Sequence, residues 1–220
     1  MPAHSVRGSR GERRSVIAGP AGALEVALNL PEGEARGIAL VAHPHPLQGG
    51  TMDNKVAQTL AKTFTALGYV GVRFNFRGAG GSEGSFDEGV GETDDALAAL
   101  AHARREFPAF TDALPVLAGF SFGTYVQTRV AQSVVPERMV LVGPAVQRFT
   151  ADAVPADTIV IHGEQDDIVA LTDVLEWARP RELPIIVFPG CGHFFHGRLT
   201  QLQRVITGMW QPFDRLRTGS

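Results

Sequence analysis

The stretch Gly119-Phe120-Ser121-Phe122-Gly123 constrains this chain more than any other. Just before it, Pro115-Val116-Leu117-Ala118 is a short apolar run that reads as a buried strand. Just after it, Thr124 to Ser133 carries Tyr125, Val126, Val130 and Ala131 at roughly helical spacing. A strand that becomes a helix within five residues has to turn very tightly. Glycine two places before and two places after the serine removes the side chains that would strike neighbouring backbone. Such a turn lifts the Ser121 hydroxyl above the sheet. It also sets the hydroxyl at a helix N-terminus, whose free N–H groups favour negative charge. A serine held this way, between strand and helix, is a candidate nucleophile.

Composition narrows the setting. The chain has 220 residues, of which 44% are apolar and 20% charged, enough for one ordinary globular domain with a sizeable core. A net charge of -3 argues against a dedicated nucleic-acid binder or a polybasic membrane anchor. The single cysteine, Cys191, excludes an internal disulfide and fits a reducing compartment. No apolar run approaches the roughly 18–20 residues of a membrane span. The basic start (Arg7, Arg10, Arg13, Arg14) lacks the apolar stretch of a signal peptide. The expectation is a soluble, cytoplasmic protein with neither nucleic acid nor membrane as a partner.

Along the chain, residues 1–14 are polar, basic and without periodicity, and read as a mobile tail. Two strands follow around the Gly19-Pro20 turn, with Ser15 opening the first. Ile38 to Ala42 is a buried strand running into His43-Pro44-His45-Pro46-Leu47-Gln48-Gly49-Gly50, a loop in which a proline after each histidine disfavours helix. Asn54 can cap a helix from Lys55 to Leu67, with Val56, Leu60, Phe64 and Leu67 on one face. Strand–helix alternation continues to a last helix over Leu199 to Trp210, with Thr172 as the cap of the helix before it. Leading strands followed by this alternation predict a mostly parallel sheet with helices on both faces, in one domain over 15–212, with 213–220 frayed.

In such a sheet, ligands bind outside the carboxyl ends of the strands. His43, Arg77, Ser121, His162, Asp166 and His193 all fall there. A serine hydroxyl is a weak nucleophile at neutral pH and needs a base, which in turn needs an orienting acid. Glu164, Asp166 and Asp167 are the nearby acids, and His193 and His196 the candidate bases. Acyl transfer also needs oxyanion donors. One is the N–H of Phe122; in the His43 loop Pro44 and Pro46 have none, which leaves His45, Leu47 and Gln48. A metal site using His43 and His45 with His193 and His196 is a rival. It has no acidic ligand beside the two histidines and leaves the elbow unexplained, so neither metal nor cofactor is expected. Arg77-Gly78-Ala79-Gly80-Gly81-Ser82 matches no phosphate-cradling pattern. It reads as a loop that buttresses the rim, with Arg77 paired to a carboxylate.

Two further stretches carry a resemblance. His162-Gly163, Asp166 and Val169 match the pattern H-G-x-x-D-x-x-V, and Gly190-Cys191-Gly192-His193-Phe194 is similar to G-x-x-H-F. With the elbow, these fall in the order found in serine α/β-hydrolases, which the chain resembles from about Ser15 onward. His43-Pro44-His45-Pro46 with Gly49-Gly50, and Phe74-Asn75-Phe76-Arg77-Gly78, look like the small capless members near the dienelactone-hydrolase-like enzymes. The resemblance implies an α/β-hydrolase fold without a cap domain, since Pro144 to Pro155 is too short to form one. It implies the order nucleophile, acid, base: Ser121, then Asp166 rather than Glu164 or Asp167, then His193 rather than His196. His162 then holds a structural position. Leu47 becomes the second oxyanion donor, with His45-Pro46 standing where the family has His-Gly. The implied activity is cleavage of short-chain carboxylic esters of small molecules, with thioesters or small peptides as alternatives on the same three residues.

Overall fold

Alternate residues along the central strands face opposite ways, and both sets are apolar. A computed structural model describes residues 6–7, 11–149 and 153–210. Its nine strands are β1 (Val6–Arg7), β2 (Glu12–Gly19), β3 (Gly22–Asn29), β4 (Gly37–Ala42), β5 (Tyr69–Phe74), β6 (Val116–Phe120), β7 (Arg138–Val142), β8 (Ile159–Gly163) and β9 (Ile185–Phe188). They form one sheet in the order β1-β2-β3-β5-β4-β6-β7-β8-β9. β1, β2, β3 and β5 pair antiparallel, and every pairing from β5 through β9 is parallel. This is the α/β-hydrolase fold, with helices on both faces.

Helices α1 (Lys55–Ala66) and α5 (Leu199–Trp210) cover the face that carries Ala39, Val41, Val116, Ala118, Val140 and Ile161. Helices α2 (Val90–Glu106) and α3 (Phe122–Val130) cover the other, with Leu40, Val72, Leu117 and Leu141. Helix α4 (Leu171–Ala178) packs Val174 and Ala178 on Val160. Because both faces are buried, these strands read as continuous apolar runs. Between β7 and β8 the described residues contain no helix or strand, so no cap stands over the sheet edge. No helix among the described residues is long and apolar enough to cross a membrane.

Local chemistry explains most boundaries. The Asn54 side chain accepts from the N–H groups of Val56 and Ala57 and so caps α1, a contribution of about 1 kcal/mol. Val56, Leu60 and Phe64 are buried. Helix α4, in contrast, starts at Leu171, after Ala170 and without a side-chain cap, so Thr172 lies inside the helix rather than at its cap. Despite its prolines, the His43 loop contains a short 3₁₀ turn at Pro46–Gln48: Pro46 occupies the first position, where its missing N–H is no loss.

The strand expected from Ser15 also differs from expectation. β2 begins at Glu12, three residues before Ser15, because Glu12 and Arg14 are held by partners distant in sequence. The buried Arg73 guanidinium lies 2.5 Å from Glu12, 3.1 Å from Asp53 and 2.6 Å from the Met52 carbonyl oxygen. Arg14 joins Glu12 at 2.7 Å and Asp53 at 2.6 Å. The rest of the expected tail, apart from Val6–Arg7 and Gly11, lies outside the described residues, as does the expected frayed end, 213–220.

Candidate active site

Ser121 sits alone between β6 and α3 with φ 53° and ψ −121°. An L-residue reaches this region only with strain, on the order of 1–3 kcal/mol. Neighbours hold it there. Its N–H donates to the Val142 carbonyl at 2.9 Å, and its carbonyl accepts the Thr124 hydroxyl at 2.6 Å. A Cβ on Gly123 would collide with the carbonyl oxygens of Ala42 and His43, so glycine is required. Helix α3 starts at Phe122, two residues earlier than the apolar spacing suggests. The Phe122 N–H is therefore the first of the helix, one of those without an intrahelical acceptor.

The two loops that follow β8 and β9 bring Asp166 and His193 together. His193 Nδ1 lies 2.7 Å from Asp166 Oδ2, and both side chains are withdrawn from water. The other carboxylate oxygen accepts the N–H groups of Ile168 at 2.9 Å and Val169 at 2.8 Å. Burial alone would raise the Asp166 pKa, but these bonds and the neighbouring imidazole hold it below the usual carboxylate range. The His193 ring rests against Phe120, with centroids 4.9 Å apart, and Phe194, at 5.2 Å.

The neighbouring candidates have other partners. His162 Nε2 bonds the Val169 carbonyl at 2.9 Å and stands 3.5 Å from Asp166. Burial pushes its pKa down. Glu164 accepts the Gly190 N–H at 2.8 Å, tying the β8 loop to the β9 loop. Asp167 is exposed, and so is His196, which lies over the Phe194 ring. The buried Cys191 thiol contacts the Gly192 carbonyl, and burial pushes its pKa up.

The His43 loop is tied by its own histidines. His43 Nε2 accepts the Phe76 N–H at 3.0 Å, so its Nδ1 carries the proton and donates to the Pro44 carbonyl at 2.7 Å. Both nitrogens are thereby spent, which removes the pair of ligands the metal reading requires. No cluster of metal-ligating side chains forms among the described residues. The Leu47 N–H turns back onto His45 Nδ1 at 3.3 Å, and the Gln48 N–H onto the His45 carbonyl at 3.1 Å. Arg77 is bound by Asp95 through Nε at 3.0 Å and Nη2 at 2.9 Å, which anchors its loop beside this rim as expected.

A cleft of about 240 Å³ opens beside Ser121, with His45, Gln48, Phe122, Gln147 and Arg148 among its walls. Larger hollows near Leu100 and Leu30 contain none of these residues. Arg148 gave no signal in the sequence: it lies in the irregular stretch after β7, where no motif marks it.

Comparison with known proteins fits this arrangement. The profile of the X-Pro dipeptidyl-peptidase (S15) family matches residues 22–147. The chain belongs to that family. An uncharacterized protein of Rickettsia prowazekii is 31% identical over 216 residues, spanning 83% of this chain and 86% of that one. Among solved structures, an α/β serine hydrolase homologue from Coxiella burnetii is 38% identical, with a TM-score of 0.81 over 90% of this chain and 97% of that one. A lidless α/β serine hydrolase from Xanthomonas campestris is 34% identical, with a TM-score of 0.84 over 97% of this chain and 98% of the other. This S15-family chain is thus a hydrolase of the α/β serine hydrolase type.

Proposed function

We propose that this chain cleaves short-chain carboxylic esters through an acyl-enzyme on Ser121. The observation that carries the reading is the 2.7 Å bond between Asp166 and His193, in the loops that flank the same sheet edge as the strained Ser121 elbow. The Ser121 Oγ attacks the ester carbonyl, and His193 Nε2 takes its proton. The carbon–oxygen bond to the alcohol then breaks, and the alcohol leaves with that proton. Water, deprotonated by the same imidazole, attacks the acyl-enzyme; the proton returns to Ser121 as the acid departs. Asp166 orients the imidazole and stabilises the positive charge that develops on it as the proton is transferred. The N–H groups of Phe122 and Leu47 receive the oxyanion. For Leu47 this means exchanging His45 Nδ1, a partner at the long end of hydrogen-bond distance, for a charged oxygen.

The S15 description favours a second reading, an aminopeptidase-like release of dipeptides. Such a substrate presents a free α-ammonium group. The cleft beside Ser121 offers it His45, Gln48, Gln147 and Arg148, with no carboxylate among the described residues of its walls. That lining supports the ester reading over the peptidase one.

A series of p-nitrophenyl esters, alongside dipeptidyl and thioester substrates, tests the proposal. Each methylene buried in a closed tunnel adds about 0.8 kcal/mol, and an open cleft forgoes most of that. Without a lid, kcat/KM should peak at acyl chains of about two to six carbons, where added methylenes stop being buried. A constant still climbing at dodecanoate, or faster cleavage of X-Pro anilides than of esters, would overturn it.

A further inference from the structure

Two donors that line the Ser121 cleft have no acceptor among the described residues. His45 is nearly fully buried at 6% exposure, yet its Nε2 has no hydrogen-bond partner. In the free protein its Nδ1 accepts from the Leu47 N–H, so the neutral ring carries its proton on Nε2, where a bound carboxylate would then keep it. An N–H left buried without an acceptor is costly, and in a cleft beside a nucleophile a bound group can answer it. Arg148 forms no ion pair with any described residue. It lies over the Phe149 ring, 5.8 Å from the centroid, and burial, with the Arg148 charge, pushes the His45 pKa down.

Aromatic rings crowd the His45 side of the cleft. The His45 ring packs against Phe86 at 4.7 Å, Phe122 at 5.0 Å and Phe149 at 6.1 Å. Glu88 lines an outer hollow with Arg148 and forms no ion pair with it, and Asp173 is taken up by the Gln147 amide. Asp166 already has both oxygens engaged. A cation and a neutral N–H, both unanswered by any described residue, are complementary to a planar anion with two oxygens.

We propose that the cleft selects acyl groups ending in a carboxylate, the half-esters of short dicarboxylic acids, with Arg148 and His45 Nε2–H holding the far carboxylate while Ser121 takes the ester carbonyl. The assignment of the ester carbonyl to Ser121 rests on the ester-hydrolase reading. The anion site itself does not.

The test compares mono-p-nitrophenyl glutarate with p-nitrophenyl pentanoate, acyl chains of the same length that differ in the terminal charge. The wild type should favour the glutarate ester. Arg148→Gln should lower the ratio of the two kcat/KM values by roughly tenfold, the scale of one charge-assisted pair, and Arg148→Lys should restore part of it. A ratio below one in the wild type, or one that Arg148→Gln leaves within about twofold, overturns the proposal. Calorimetric binding of free glutarate, with butyrate as the control, reads the anion site without turnover. Glutarate bound by the wild type and lost in Arg148→Gln supports the site even if neither ester is cleaved, in which case the ester reading alone fails. No glutarate binding by the wild type overturns it.

Discussion

A Cβ on Gly119 would stand 2.5 Å from the carbonyl oxygen of Gly123. The atom in the way is backbone on the far side of the elbow, so no side chain can step aside. Gly119→Ala should therefore destabilise the fold by about 1–3 kcal/mol in urea denaturation and displace Ser121. Full stability in that variant would show an elbow looser than this one.

The strain on Ser121 itself is measurable. Its φ of 53° penalises any residue with a Cβ, so Ser121→Ala keeps the strain and Ser121→Gly releases it. Glycine gives back about 0.5–1 kcal/mol through the freedom of its unfolded chain. With strain on the order of 1–3 kcal/mol, the glycine variant should be the more stable of the two by about 1 kcal/mol. Both should lose roughly 10⁴-fold or more in kcat/KM. An alanine variant clearly more stable than the glycine one would contradict the strain.

Asp166 and Asp167 should separate sharply on amide substitution. Asp166 serves His193 with one oxygen and two backbone N–H groups with the other. An asparagine has a single oxygen, so either the loop turn or the imidazole loses its acceptor. Asp166→Asn should cost roughly 10²–10⁴-fold in kcat. Asp167, exposed to solvent, should tolerate the same change with little effect. If Asp167→Asn is the worse variant, the acid has been misassigned.

Burial pushes the His43 pKa down to about 3. In the unfolded chain the ring titrates near an ordinary value of about 6.5. Between these limits the unfolded state holds the proton and the native state does not. Stability from this residue is therefore complete above pH ~6.5 and is lost as the pH falls, by about 1.4 kcal/mol per unit. His45 and His162, also shifted down by burial, act in the same direction. His43→Gln keeps an acceptor for the Phe76 N–H but cannot titrate. It should flatten the decline in urea-derived stability between about pH 6 and 4 by about one proton's worth. An unchanged slope would mean that His43 is already charged in the folded protein.

What the sequence revealed followed the range of each interaction. The elbow was legible because its steric demand lies within five residues, and Asn54 because a cap acts on the next two N–H groups. The start of α4 was not, since packing of Val174 and Ala178 on Val160 sets it rather than the nearby threonine. Glu12 and Arg14 read as a basic tail because their partners, Arg73 and Asp53, lie some forty to sixty residues away. The loop histidines were visible as residues but not as roles: which nitrogen of His45 is free depends on the bond it makes to Leu47. Arg148 reaches the cleft through a stretch with no periodic pattern at all.

Mass spectrometry of the intact protein after treatment with a fluorophosphonate tests the central claim most directly. The account predicts one phosphonyl group per chain, on the peptide that contains Ser121. It also predicts no labelling of Ser121→Ala and labelling slowed by orders of magnitude in His193→Ala. Labelling at another residue, no labelling of the folded wild type, or an undiminished rate without His193 would contradict it.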